Sequence, residues 1–129
     1  MSYRIMIVED ELLVALDLEA SLDELGYRPV GIAADAASAM QLAELQPALA
    51  LVDLNLRDGL TGPEIGEALA RDYGVRVLFM TANPRLLGDG IAGTVGVLTK
   101  PYDIAAVASA VDYAMRRTTT PPPQLRLFG

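Results

Sequence analysis

The sequence contains no cysteine. Disulfides and thiolate metal sites are therefore excluded. It contains no histidine either, which removes zinc catalysis, histidine general-base chemistry and a phosphohistidine on this chain. Positive charge is scarce: 10 Lys and Arg stand against 17 Asp and Glu, a formal net charge of -7. That balance disfavours direct contact with nucleic acid or an anionic membrane. No apolar run is long enough to cross a bilayer. The apolar run near the N-terminus, Ile5 to Val8, is cut off at once by Glu9-Asp10-Glu11, so no signal peptide is evident. The same turn lacks the glycines and hydroxyls that cradle phosphate in nucleotide- and flavin-binding proteins. The expectation is a soluble, cytoplasmic protein without membrane insertion. Its 129 residues predict one domain, large enough to fold without staples.

What the chain does have is a repeated order of short apolar runs and amphipathic stretches. Strands are predicted over 3–8, 27–33, 49–53, 75–80 and 95–98. Helices are predicted over 11–25, 35–46, 61–73 and 103–117. In the first helix Leu12, Ala15, Leu18, Leu22 and Leu25 recur near helical period. Asp10 and Asp35 are candidate N-caps. Pro29 suits a strand at a sheet edge. The segment 83–94 carries Pro84, Gly88, Gly90 and Gly93, so it allows one or two helical turns around Arg85 to Leu87. Alternating elements of this kind imply a parallel sheet with helices on both faces. Residues 118–129 carry Pro121-Pro122-Pro123 and read as an extended tail. The alternative is docking through Leu125, Leu127 and Phe128.

Four of the strands end on a chemically useful group. Ile5 to Val8 leads to Glu9 and Asp10. Leu49 to Val52 leads to Asp53, Val75 to Met80 to Thr81, and Val95 to Thr99 to Lys100. In open parallel sheets ligands bind beyond these carboxyl ends. Glu9, Asp10 and Asp53 crowded together repel one another and invite a hard divalent cation. Mg²⁺ takes oxygen ligands: Asp10 and Asp53 directly, Glu9 through water, with the Asn55 backbone carbonyl as a further candidate. A hydroxyl and an ammonium opposite a metal-bound carboxylate suit a phosphoryl group. Asp53 is then a carboxylate nucleophile that forms an aspartyl phosphate. Lys100 neutralises developing charge, and Thr81 donates to a phosphoryl oxygen.

The blocks Ile7-Val8-Glu9-Asp10-Glu11, Leu51-Val52-Asp53-Leu54-Asn55-Leu56, Met80-Thr81-Ala82 and Thr99-Lys100-Pro101-Tyr102 resemble those of the receiver domain of bacterial two-component response regulators. The likeness covers about residues 3 to 117, which sets the domain at 1–117 and the tail at 118–129. It implies a flavodoxin-like, doubly wound, five-stranded parallel sheet of order 2-1-3-4-5, with a short or irregular fourth helix. It also implies a phosphoacceptor at Asp53, Mg²⁺ held by Glu9 and Asp10, a switch hydroxyl at Thr81, the lysine at Lys100 and a cis-proline at Pro101. The implied phosphodonor is a sensor histidine kinase or a His-containing phosphotransfer protein. Asn83-Pro84-Arg85-Leu86-Leu87 is also similar to receivers of the alphaproteobacterial general-stress type.

Three departures from that pattern bear on output. Val97 stands where many receivers carry an aromatic that swings inward on activation. The segment between Thr81 and Lys100 is short and rich in Gly and Pro. Arg57-Asp58-Gly59-Leu60-Thr61-Gly62 replaces the usual loop after the phosphoacceptor. With no output domain after residue 117, output is expected through contacts with a downstream protein, and homodimerisation is left open. The rivals are a phosphorylation-insensitive interaction module and a phosphate sink for a shared kinase. A haloacid-dehalogenase-like phosphatase fits worse, because its nucleophile follows the first strand, whereas Asp53 follows the third.

Overall fold

The computed structural model describes residues 3–128. In chain order they form β1 (Arg4–Val8), α1 (Leu12–Glu24), β2 (Arg28–Ala33), α2 (Ala36–Ala43), β3 (Leu49–Val52) and α3 (Gly62–Tyr73). β4 (Arg76–Thr81), a 3-10 turn (Pro84–Leu87), β5 (Gly96–Thr99), α4 (Ile104–Ala114) and β6 (Leu125–Leu127) follow. The sheet order is β2-β1-β3-β4-β5-β6. The first five strands are parallel, as expected. The sixth is not expected: residues 125–127 pair antiparallel with β5, Val97 opposite Arg126. A five-stranded sheet is thus corrected to six.

The strands read as unbroken apolar runs because both faces are covered. Ile5, Ile7, Leu49, Leu51, Leu78, Met80 and Leu98 face one side, against Ala15, Leu18 and Leu22 of α1 and the small side chains of α4. Met6, Val8, Ala50, Val52, Val77, Phe79 and Val97 face the other, against α2 and α3. Strand alternation with period two divides the core in this way. β2 lies at an edge, which accommodates Pro29.

Several local expectations change. Leu12 and Leu25 are exposed, so the buried stripe of α1 is Ala15, Leu18 and Leu22. Asp10 does not cap α1: the N-cap is Glu11, with no side-chain cap bond. The Asp10 carboxylate is grouped instead with those of Glu9 and Asp53. Asp35 does cap α2, accepting from the Ser38 amide at 2.9 Å in a capping box. Bonds from Ser38, then Arg57, hold its carboxyl well below the ordinary range. α2 ends at Ala43 and α4 at Ala114, before the predicted 46 and 117, where Gln46 and Arg116 turn to positive φ.

No fourth helix forms between β4 and β5. The 3-10 turn stands there, and Leu87, Ile91 and Phe128 fill the adjoining face of the core. No helix among the described residues is long and apolar enough to cross a membrane.

Candidate functional site

Parallel pairing brings the four strand ends to one rim. The Asp53 amide donates to the Val8 carbonyl at 2.9 Å, and the Lys100 amide to the Thr81 carbonyl at 2.8 Å. The Glu9 amide donates to the Ala33 carbonyl at 2.8 Å. Ladder bonds therefore continue one residue past β1, β3 and β5, and with Thr81 at the end of β4 they fix the backbone that aims each side chain.

The Lys100 ammonium donates to Asp53 Oδ2 at 3.1 Å and to Glu9 Oε1 at 3.4 Å. Asp53 Oδ1 accepts from the Leu54 amide at 2.7 Å. One carboxylate oxygen each from Glu9, Asp10 and Asp53 lies within 4.8 Å of the others. Glu9 is only 4 % exposed, and its Oε2 is buried with no hydrogen-bond partner. Burial pushes its pKa up to about 8, helped by the neighbouring Asp53 and opposed by Lys100. Burial works against the Lys100 charge, yet the Asp53 and Glu9 carboxylates outweigh it and raise its pKa. An orphaned buried oxygen beside two further carboxylates, one of them exposed, is a donor set that fits a hard, partly hydrated cation such as Mg²⁺.

Asp10, Asp53, Asn55, Thr81 and Lys100 line one open groove of about 870 Å³. Glu9 lies beneath it, reached through a smaller void that it shares with Asp53 and Lys100. Every predicted site residue is thus brought to one place. Thr81 is buried, and its Oγ1 accepts from the Asn83 amide at 3.0 Å. The Lys100–Pro101 peptide is cis. Tyr102 packs against the core beside the groove. Leu13, Val14 and Ile104 extend the groove with apolar surface.

The sequence reading missed Gly62 as a positioning residue. A Cβ there would lie 2.1 Å from the Asp53 carbonyl oxygen and 2.5 Å from Leu54 Cα. Its missing side chain lets α3 begin directly against the Asp53 backbone, where the Gly62 amide donates to the Leu54 carbonyl at 3.0 Å. The only signal was a glycine at a helix start, which also marks an ordinary turn.

A lysine and three carboxylates at the carboxyl rim of a doubly wound sheet define an acid-pocket α/β domain. The sequence profile of the response regulator receiver domain matches residues 5–112, and the chain belongs to that family. It is 34% identical over 118 residues to the phyllosphere-induced regulator PhyR of Methylorubrum extorquens, covering 89% of this chain and 44% of that protein. The PhyR receiver domain of Erythrobacter litoralis superposes with a TM-score of 0.81 at 32% identity, covering 94% of this chain and 95% of that one. The receiver domain of the Pseudomonas aeruginosa sensor histidine kinase PA1611 superposes with a TM-score of 0.73 at 27% identity, covering 90% of this chain and 99% of that one. That domain carries a magnesium ion coordinated in its active-site cleft. This chain spans about half the length of the curated relatives it matches.

Proposed function

We propose that this chain is a phosphoacceptor receiver, modified on Asp53 by a phosphohistidine of a sensor kinase or phosphotransfer protein. The carrying observation is the Lys100 ammonium 3.1 Å from Asp53 Oδ2, beside the unpartnered buried oxygen of Glu9. Glu9, Asp10, Asp53 and the Asn55 backbone carbonyl are the groups that would hold Mg²⁺. When bound, the ion supplies positive charge against the phosphoryl oxygens.

The residues divide the work. An Asp53 carboxylate oxygen forms the bond to phosphorus as the donor's P–N bond breaks. The leaving imidazole keeps the electron pair and takes a proton. The donor histidine lies outside this chain, which has none. Lys100 holds the attacking carboxylate in place and neutralises charge as it develops. Thr81 donates to a phosphoryl oxygen once it is present. The apolar groove wall of Leu13, Val14 and Ile104 is continuous with the acid pocket and suits a donor helix that must bring its histidine to Asp53.

Output through protein contacts follows from a population shift. A state populated at about one per cent needs roughly 5 kcal/mol of differential binding to dominate. One charge-assisted hydrogen bond gives about 1.5 to 3 kcal/mol, so Thr81 and Lys100 must act together. A fully buried Val97 favours a second reading, an interaction module that does not switch.

The test is intact mass and Mg²⁺-dependent chemical shifts after treatment with phosphoramidate, for wild type and Asp53→Asn. The expected result is one phosphoryl group on wild type and none on the variant, with shifts reaching Thr81 and residues 83–94. Shifts confined to the pocket would favour a phosphate sink. No modification with any donor or metal would leave the interaction module.

A further inference from the structure

β6 and Phe128 after it are built into the molecule by several features. Gly96 in β5 has no side chain, and a Cβ there would stand 2.3 Å from the Arg126 carbonyl oxygen, a backbone atom that cannot yield. Gly90 makes room for Phe128, the residue after β6: a Cβ there would meet the Phe128 ring at 2.7 Å. Phe128 enters the core face beside Phe79, with ring centroids 6.4 Å apart. Its amide donates to the Val95 carbonyl at 3.0 Å. Arg126 then reaches over the 3-10 turn, donating to the Gly88 carbonyl at 2.8 Å and the Pro84 carbonyl at 3.1 Å, with its guanidinium 5.3 Å from the Phe128 ring centroid.

Arg126 therefore brackets the segment that follows Thr81. The start of that segment hangs on the Thr81 hydroxyl, which accepts from the Asn83 amide. On the phosphoacceptor reading, a Thr81 side chain drawn towards a phosphoryl oxygen on Asp53 would move away from that amide, and the Pro84 and Gly88 carbonyls would shift under Arg126. Val97 lies buried in the same cluster as Phe128 and Leu87, which joins the strand before Lys100 to the Phe128 socket.

We propose that the β5 edge, with its Phe128 socket, is a strand-docking site, occupied in cis by β6 and opened when Asp53 is phosphorylated. Its partner is an extended segment of another protein that repeats the chemistry of Leu125-Arg126-Leu127-Phe128: apolar, basic, apolar, aromatic. Such a segment adds a strand through main-chain hydrogen bonds, gains specificity from the aromatic socket and satisfies the two carbonyls with its cation. The opening step rests on the phosphoacceptor reading, whereas the docking site does not.

Two measurements on the full chain test this. The first is amide hydrogen exchange at Phe128 before and after phosphorylation, with intact mass recorded on the same sample. Protection is expected to fall about tenfold or more while β1 and β3 stay protected. Unchanged protection on fully phosphorylated protein overturns the opening step. No gain of a phosphoryl mass overturns the phosphoacceptor reading and the opening step with it. The second uses a fluorescein-labelled peptide of residues 121–129 and fluorescence anisotropy, without phosphorylation. Arg126→Ala weakens the cis strand and is expected to capture the peptide about tenfold more tightly than wild type. Gly96→Ala, whose Cβ blocks the edge, is expected to lose Phe128 protection and yet capture no peptide. Capture that is equal in wild type, Arg126→Ala and Gly96→Ala overturns the docking site. A dimer that retains full protection in Arg126→Ala also overturns it, and assigns the strand to exchange between copies.

Discussion

The two ends of the β4–β5 pair are stabilised in opposite ways. At the carboxyl rim, Glu9, Asp53 and Lys100 make close contacts that leave a surplus of negative charge and one buried oxygen without a partner. Along the β5 edge, Gly90, Gly96, Phe79 and Phe128 pack closely, and Arg126 has satisfied acceptors. The rim carries the unbalanced charge that a divalent cation and a phosphoryl group would offset, on the function proposed above. The edge is complete as it stands. A site awaiting a ligand shows unbalanced charge, whereas a site already filled shows close packing. If that contrast is real, perturbing the rim should change ion and phosphoryl chemistry. Perturbing the edge should change stability alone until phosphorylation couples the two.

The largest expected effect tests the imbalance at the rim. Glu9 has a folded pKa raised from 4.5 to about 8. A group with a raised folded pKa contributes stability that is present below its unfolded value and lost as pH rises. Stability of the metal-free protein should therefore fall between about pH 4.5 and 8, by an amount on the order of a few kcal/mol. Thermal melts across that range, with and without Mg²⁺, check it. Mg²⁺ should flatten the slope, because it favours the carboxylate. Glu9→Gln should also flatten the slope, raise the melting temperature at pH 8 and weaken Mg²⁺ binding. A melting temperature independent of pH in the metal-free protein would mean that the rim is balanced after all.

Next comes Lys100→Ala. It removes the cation that reaches both Asp53 and Glu9. Losing one preorganised donor aimed at developing charge costs about 10²- to 10³-fold in rate, so phosphoramidate labelling of Asp53 should slow by about that factor. The edge should not notice: Phe128 amide protection should stay at the wild-type level. A third, smaller effect belongs to the edge. Leu125→Ala deletes a side chain that is 6% exposed, and a peripheral site relaxes more easily than a central one, so a loss of about 2 kcal/mol in denaturant melts is expected. Asp53 labelling should persist in that variant.

The same contrast explains what could be read from the sequence. Asp53, Thr81 and Lys100 were legible because each follows an apolar strand, and parallel topology carries strand ends to one rim. Glu9 and Asp10 were legible for the same reason. The edge hid its structure for physical reasons. Leu125-Arg126-Leu127 is too short for a period-two signal to stand out, and it follows three prolines that read as a tail. Arg126 is held by backbone carbonyls, which every residue carries and no motif announces. Gly90 read as a loop breaker and Gly96 as an ordinary strand residue, whereas Gly90 makes room for Phe128 and Gly96 for the backbone of the last strand. The caps divide likewise. Asp35 was legible because Ser38 completes its box. Asp10 was read both as a cap and as an ion ligand, because a carboxylate before a helix suits either, and the cap is the part that fails.

The smallest expected effect separates helix stability from chemistry where the two regions meet. Asp103 follows Tyr102 and caps α4, its carboxylate accepting from the Ala106 amide at 2.8 Å. Asp103→Ala leaves that amide without its acceptor, which costs about 1 kcal/mol at a typical N-cap. The helix it starts packs Ala106, Val107, Ala110 and Val111 against the core face away from Phe128. Denaturant melts should therefore show that modest loss, with Asp53 labelling and Phe128 protection both unchanged. A fall in labelling would mean that the α4 start helps to aim Lys100 through Pro101 and Tyr102. The rim would then depend on a helix cap as well as on the strand ends, and its separation from the rest of the molecule would be smaller than the geometry implies.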